Sequence, residues 1–135
     1  MQTDDNNRGY AFCGDWEPAA DKFPDFSQHV KNVQDMGLKY LMWFSVPYVG
    51  KMSRAWELFK DKLLYWNEFQ QAGILDIRYP KVREYLKGIY GKAVKEWGID
   101  GLKLDFIDEF YLHPDSPSFS EGWIMRMCRK RWMSF

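Results

Sequence analysis

Two blocks of apolar residues at helical spacing alternate along the chain with two short apolar runs. Phe26, Val30, Val33 and Met36 mark one face of a helix of about three turns. Asp25 with Gln28 three residues on has the form of a capping box at its start, and Gly37 closes its end. Lys39 to Phe44 follows, dominated by apolar and aromatic residues, as in a strand buried on both faces of a parallel sheet. The second helical block is the clearest, with Val82, Tyr85, Leu86, Ile89, Ala93, Val94 and Trp97 on one side and Lys and Glu largely on the other. Pro80 suits its first turn and Gly98 its C-terminal cap. Gly101 to Phe106 then reads as a second buried strand, with polar Lys103 and Asp105 in its C-terminal half.

Between these blocks the pattern is less decisive. Residues 1 to 24 are polar and rich in Asp, Asn, Gly and Pro, which predicts one long loop. Ser45 to Ser53, with Pro47 and Gly50, is expected to be the loop after the first strand. Arg54 to Trp66 has helical composition, and Gly73 to Tyr79 reads as a short extended stretch before Pro80. The order of loop, helix, strand, helices, strand and loop, with no hairpin signal, is repeated α/β winding. The predicted fold class is therefore α/β, a partial (β/α)8 TIM barrel with parallel strands. It is incomplete, because the closed barrel uses eight strands and about 250 residues whereas this chain has 135.

Charge narrows the range of partners. Lys plus Arg equals Asp plus Glu at 19 each, so no whole-chain field draws the protein to nucleic acid or to an anionic membrane. No run reaches the roughly 18 apolar residues of a membrane span. Aromatic residues make up 19% of the chain, and Trp and Tyr stack on the apolar faces of sugar rings while hydrogen-bonding at their edges. Cys13 and Cys128 lie far apart and lack metal-ligand spacing. They are expected to be thiols of a reducing, cytoplasmic compartment, with no structural metal.

Asp105 is the residue that points to chemistry. Catalytic groups of closed α/β barrels stand at strand C-termini, where the loops form the open face. A retaining glycosidase needs one carboxylate there as nucleophile and a second carboxyl about 5 Å away as acid and base. The alternative is an ordinary acid capping the next helix. No Gly-x-Ser-x-Gly elbow or phosphate-binding glycine loop occurs, and His29 and His113 read as a helix-surface and a loop residue.

Six short motifs in order shift this balance. They are Gly14-Asp15-Trp16-Glu17, Lys22-Phe23-Pro24, Met36-Gly37-Leu38-Lys39, Trp43-Phe44, the run from Pro80 to Leu86, and Gly98-Ile99-Asp100-Gly101-Leu102-Lys103-Leu104-Asp105. Together they resemble glycoside hydrolase family 36, the melibiase-type alpha-galactosidases, over roughly residues 12 to 120. The resemblance implies that Asp105 is the nucleophile that forms a covalent galactosyl-enzyme intermediate. It implies that Lys103 hydrogen-bonds ring hydroxyls, that Trp43 lines the sugar pocket and that Trp16 borders its mouth. The implied substrate is an alpha-galactoside oligosaccharide, with no cofactor or metal. The competing reading is a non-catalytic carbohydrate-binding or interaction module.

The chain departs from the family pattern in three places. Ser45-Val46-Pro47-Tyr48 stands where the family commonly has a Glu-Pro-Glu run. Asp4 and Asp5 have no apolar strand before them, and Asn6-Asn7 follows them in place of the usual Gly-Trp. The family's acid/base belongs to a later strand. The chain is therefore expected to be an internal piece of a catalytic barrel over residues 1 to 121, inactive alone. Gly122 to Phe135 has no acid and carries Arg126, Arg129, Lys130 and Arg131. This basic tail is expected to come from a reading-frame shift, the other origin being a selected amphipathic segment for an acidic partner or membrane surface.

Overall fold

In the computed structural model of the protein, residues 9–118 are described. The first helix, α1 (Phe26–Asp35), starts at Asp25, whose carboxylate accepts the backbone N–H of Gln28 at 3.1 Å. Only half of the expected capping box forms, because the Gln28 side chain donates to Asn32 at 2.8 Å instead of reaching back. Phe26 and Val30 are buried, whereas Met36, expected on the same face, is 69% exposed. Gly37, at φ 82°, turns the chain into strand β1 (Leu41–Ser45).

The chain from Ser45 to Leu75 departs from the expectation of purely parallel winding. The predicted loop after β1 contains β2 (Tyr48–Gly50). The predicted helix Arg54 to Trp66 is only α2 (Ala55–Phe59), and its second half is strand β3 (Leu63–Asn67). Strand β4 (Ala72–Leu75) lies between β2 and β3, and both pairings are antiparallel. The reason lies in Leu63-Leu64-Tyr65-Trp66, whose aromatic and apolar side chains fit a half-buried pleated surface and pack across strands. The hairpin turn lacks the usual Asn-Gly or Asp-Gly pair. Asn67 accepts the Gln70 backbone N–H at 3.0 Å and Gln71 adopts φ 53°, so a side-chain turn does the work that glycine ordinarily does.

The second helical block matches its prediction except at Val94, which was expected on the apolar side and is 49% exposed. Helix α3 (Pro80–Lys95) starts with proline in its first turn and buries Val82, Leu86, Ile89 and Ala93. Gly98, at φ 69°, leads into β5 (Gly101–Asp105), which pairs in parallel with β1. The register sets Leu41 opposite Gly101, Trp43 opposite Lys103 and Ser45 opposite Asp105. Met42 and Phe44 point to the other face and are 1% and 0% exposed, each burial stabilising by about 1.5–3 kcal/mol. Phe44 meets Tyr90 of α3 at 5.3 Å between ring centroids, and Phe26 of α1 meets Trp97 at 5.3 Å.

The link between the two sheets is held by backbone hydrogen bonds at Val46 and Pro47, and a buried ion pair braces the corner after β4. Leu75 N–H donates to Pro47 O at 2.8 Å, and Val46 N–H to Asp105 O at 3.2 Å. Between β4 and α3 the Arg78 guanidinium lies on the Asp76 carboxylate, Nη2 to Oδ2 at 2.7 Å, with side chains 2% and 0% exposed. The same Nη2 donates to Pro117 O at 2.9 Å and so ties down the segment after β5. The described residues are thus mixed α/β, with one parallel pair and one antiparallel sheet. Among the described residues no helix is long and apolar enough to cross a membrane. The basic tail expected over 122–135, Cys128, and Asp4 and Asp5 lie outside the described residues.

Candidate active site

The parallel pair carries polar chemistry at its C-terminal end, on the face opposite Met42 and Phe44. Alternation along β5 puts Gly101, Lys103 and Asp105 on that face, and alternation along β1 puts Leu41, Trp43 and Ser45 there. Asp105 therefore ends a parallel strand beside the strand that holds Trp43, as its sequence position predicted.

Both carboxylate oxygens of Asp105 are held. Oδ2 accepts the Trp43 indole N–H at 2.7 Å, and Oδ1 accepts the backbone N–H of Phe106 at 3.0 Å. The second bond is made possible by the turn after β5, where Phe106 adopts φ 61°, a left-handed conformation that is strained for a bulky residue. Lys103 Nζ stands 3.5 Å from Oδ2, and the two side chains are 69% and 39% exposed. The Trp43 hydrogen bond, with smaller contributions from the Phe106 amide and the Lys103 charge, holds the Asp105 carboxyl below the usual carboxylate range. It is thus an accessible carboxylate kept ionised, suited to nucleophilic attack and unsuited to donating a proton.

A wall of rings stands behind this carboxylate. Phe106 makes an edge contact with Trp43 at 6.1 Å and lies 5.6 Å from Tyr10 and 5.2 Å from Tyr48. Burial pushes the Tyr48 phenol up to about 12, with the Glu109 charge adding to it. Burial also raises the Tyr10 phenol, and Cys13 and Asp105 raise it further. Tyr10, Tyr48 and Phe106 were not singled out in the sequence. For Phe106 the available signal was its place next to Asp105, while Tyr10 and Tyr48 sit in segments read as loops.

The antiparallel sheet buttresses this wall. Tyr48, Ile74 and Tyr65 form one cross-strand row, so their side chains share a face. Tyr65 hydroxyl donates to the Glu109 carboxylate and meets the Glu109 carbonyl at 3.0 Å, while its ring packs on His113 at 3.8 Å. The segment following Asp105 is thereby pinned against the hairpin. On the other face Trp66 packs against Trp56 of α2 at 5.4 Å.

Trp16 is placed differently from the expectation of a residue bordering the mouth. It is 3% exposed and packs edge-on against Phe44 at 5.1 Å, so its ring belongs to the core on the helix side of β1. Its motif neighbours are structural too. Asp15 accepts the backbone N–H groups of Arg54 at 3.0 Å and Ala55 at 2.8 Å and so caps α2. Gly14 O accepts the Tyr85 hydroxyl at 2.6 Å. Among the described residues no group of three or more His, Cys, Asp or Glu is arranged to hold a metal ion.

No family model matches the chain. An alpha-xylosidase of Emericella nidulans is 30% identical over 112 residues, which span 75% of this chain and 14% of that protein. The fold is similar to part of the crystal structure of the alpha-galactosidase from Lactobacillus brevis, with a TM-score of 0.62 and 24% identity. That match covers 69% of this chain and 13% of the other. The chain thus spans about an eighth to a seventh of the length of these proteins. Both are named as glycosidases, and they differ in the sugar named, so the similarity is to glycoside hydrolases without selecting galactose.

Proposed function

We propose that the chain is part of the catalytic (β/α)8 barrel of a retaining glycoside hydrolase and that Asp105 is its nucleophile. The observation that carries this reading is the Asp105 carboxylate at the end of a parallel strand, ionised, oriented by Trp43 and Phe106, and open to solvent. Asp105 attacks the anomeric carbon of an alpha-glycoside, the bond to the leaving group breaks, and a glycosyl ester forms on the carboxylate. Lys103, mostly exposed beside it, donates to sugar hydroxyls. The substrate is a terminal alpha-galactoside, as the motif resemblance implies. An alpha-xyloside is the second reading, favoured by the relative named alpha-xylosidase. We assign no acid/base among the described residues, and the chain by itself is expected to leave unactivated glycosides intact, since a leaving group that receives no proton departs slowly.

The test uses fluorinated glycosyl fluorides of galactose and of xylose, whose fluoride departs without protonation and whose ring fluorine slows hydrolysis of the ester. Mass spectrometry of the chain is expected to show one glycosyl group on the peptide containing Asp105, with the galactosyl reagent labelling faster. Asp105→Asn is expected to abolish labelling. Faster labelling by the xylosyl reagent would reassign the sugar, and no adduct with either, or an adduct on another residue, would refute the assignment of Asp105.

A further inference from the structure

We propose that Trp43 is a positioning residue for Asp105, acting through its indole N–H, and that it offers a bound sugar only its ring surface. Indole has one donor and no acceptor. In Trp43 that donor points across the parallel pair to Oδ2 of Asp105 at 2.7 Å, over a separation of 62 residues in the chain. The register makes this reach possible, because Trp43 lies opposite Lys103 and so diagonal to Asp105 on the same face. The ring is steadied by its edge contact with Phe106, whose own amide holds the other carboxylate oxygen. The carboxylate is thus gripped from two sides, by a side chain of the neighbouring strand and by the backbone just after its own. Two such donors fix the rotation of the carboxyl plane as one donor cannot.

Lys103 is the rival for this role. Its ammonium approaches the same oxygen, but at 3.5 Å and with a side chain 69% exposed, where solvent weakens the attraction and the long side chain has other rotamers. The short hydrogen bond from the uncharged Trp43 indole to the carboxylate is therefore the one that sets the geometry. With its donor committed, Trp43 cannot also hydrogen-bond a sugar hydroxyl without releasing Asp105. That deepens the glycosidase reading and rests on it for its function, but not for its test.

The test reads protonation and not turnover. The chain, labelled with 13C at aspartate carboxyls and 15N at indole nitrogens, is titrated by NMR from neutral to acid pH. The Trp43 indole N–H resonance is expected to shift with the same midpoint as the Asp105 carboxyl. Trp43→Phe, which keeps a ring on β1 and removes the donor, is expected to move the Asp105 midpoint upward by more than Lys103→Met does. An indole resonance in the unaltered chain that stays flat through the Asp105 transition would overturn the proposal, without needing either variant to fold. A larger shift in Lys103→Met than in Trp43→Phe would also overturn it. Failure of glycosyl labelling would remove the enzymatic reading and leave this result intact.

Discussion

Replacement of Arg78 by Met tests whether the corner between β4 and α3 fastens the segment after the candidate nucleophile. Arg78 Nε lies 2.8 and 3.0 Å from the two Asp76 oxygens, Nη2 lies 2.7 Å from Oδ2, and Nη2 also reaches Pro117 O at 2.9 Å. With 2% and 0% side-chain exposure, neither partner can turn to water when the other is removed. Arg78→Met leaves the Asp76 carboxylate buried with the Arg78 backbone N–H at 3.0 Å. Removing one partner of a buried pair typically costs about 3–5 kcal/mol, a large share of the roughly 5–15 kcal/mol that stabilises a domain. The double variant Asp76→Leu/Arg78→Met removes both charges and is expected to lose less than the sum of the single variants, since a buried pair exchanged for apolar groups is often close to neutral. Urea unfolding of the four proteins at one pH gives these differences, provided the slope with denaturant stays constant. A single Arg78→Met within about 1 kcal/mol of the unaltered chain, or strictly additive losses, would refute the reasoning.

Two further outcomes follow from local geometry. A Cβ on Gly50 would lie 2.1 Å from the Ala11 backbone carbonyl, so Gly50→Val is expected to push the segment at residues 10–13 off β2 at a cost of about 1–3 kcal/mol; amide hydrogen exchange there should rise, and unchanged protection would contradict it. Asp100 is held below the usual carboxylate range first by the Tyr40 backbone N–H at 2.7 Å and then by the Gln34 side chain. A depressed carboxyl contributes stability that is present above its unfolded value, about 3.9, and is lost as pH falls through the folded one. Asp100→Asn is therefore expected to make the decline in urea midpoint below about pH 4 shallower, and parallel declines in the two proteins would count against it.

The sequence was most legible where one periodicity ran long enough to exclude the other. In α3 the apolar positions from Val82 to Trp97 leave one reading, and proline and glycine mark its ends. The antiparallel sheet was illegible for the opposite reasons. Only Lys60-Asp61-Lys62, a charged triplet that a helix also tolerates, separates Leu63 to Asn67 from the five helical residues, and the hairpin turn uses Asn67 and Gln71 in place of the glycine that signals a hairpin. For the site, Asp105 and Lys103 could be read from the end of a strand. The link from Asp105 to Trp43 needed the register of a parallel pair, which local sequence does not encode. Trp16 shows the limit of motif reading, since a loop tryptophan at φ 54° turned inward onto Phe44.

The parallel pairing of β1 with β5 also has a consequence in time. Trp43 and Asp105 are 62 residues apart, whereas β3 and β4 are joined by a tight turn. A local hairpin forms in about 1–10 μs, and closing a long loop costs chain entropy before any contact repays it. At a ribosomal rate of about 5–20 residues per second, β1 is synthesised roughly 3–12 s before its partner. During that interval the hairpin can already be in place while β1 presents an unsatisfied edge with apolar Met42 and Phe44 beside it. The strand that carries Trp43 is thus the one whose nascent form most needs chaperone protection, and slower translation between β1 and β5 would lengthen its exposure.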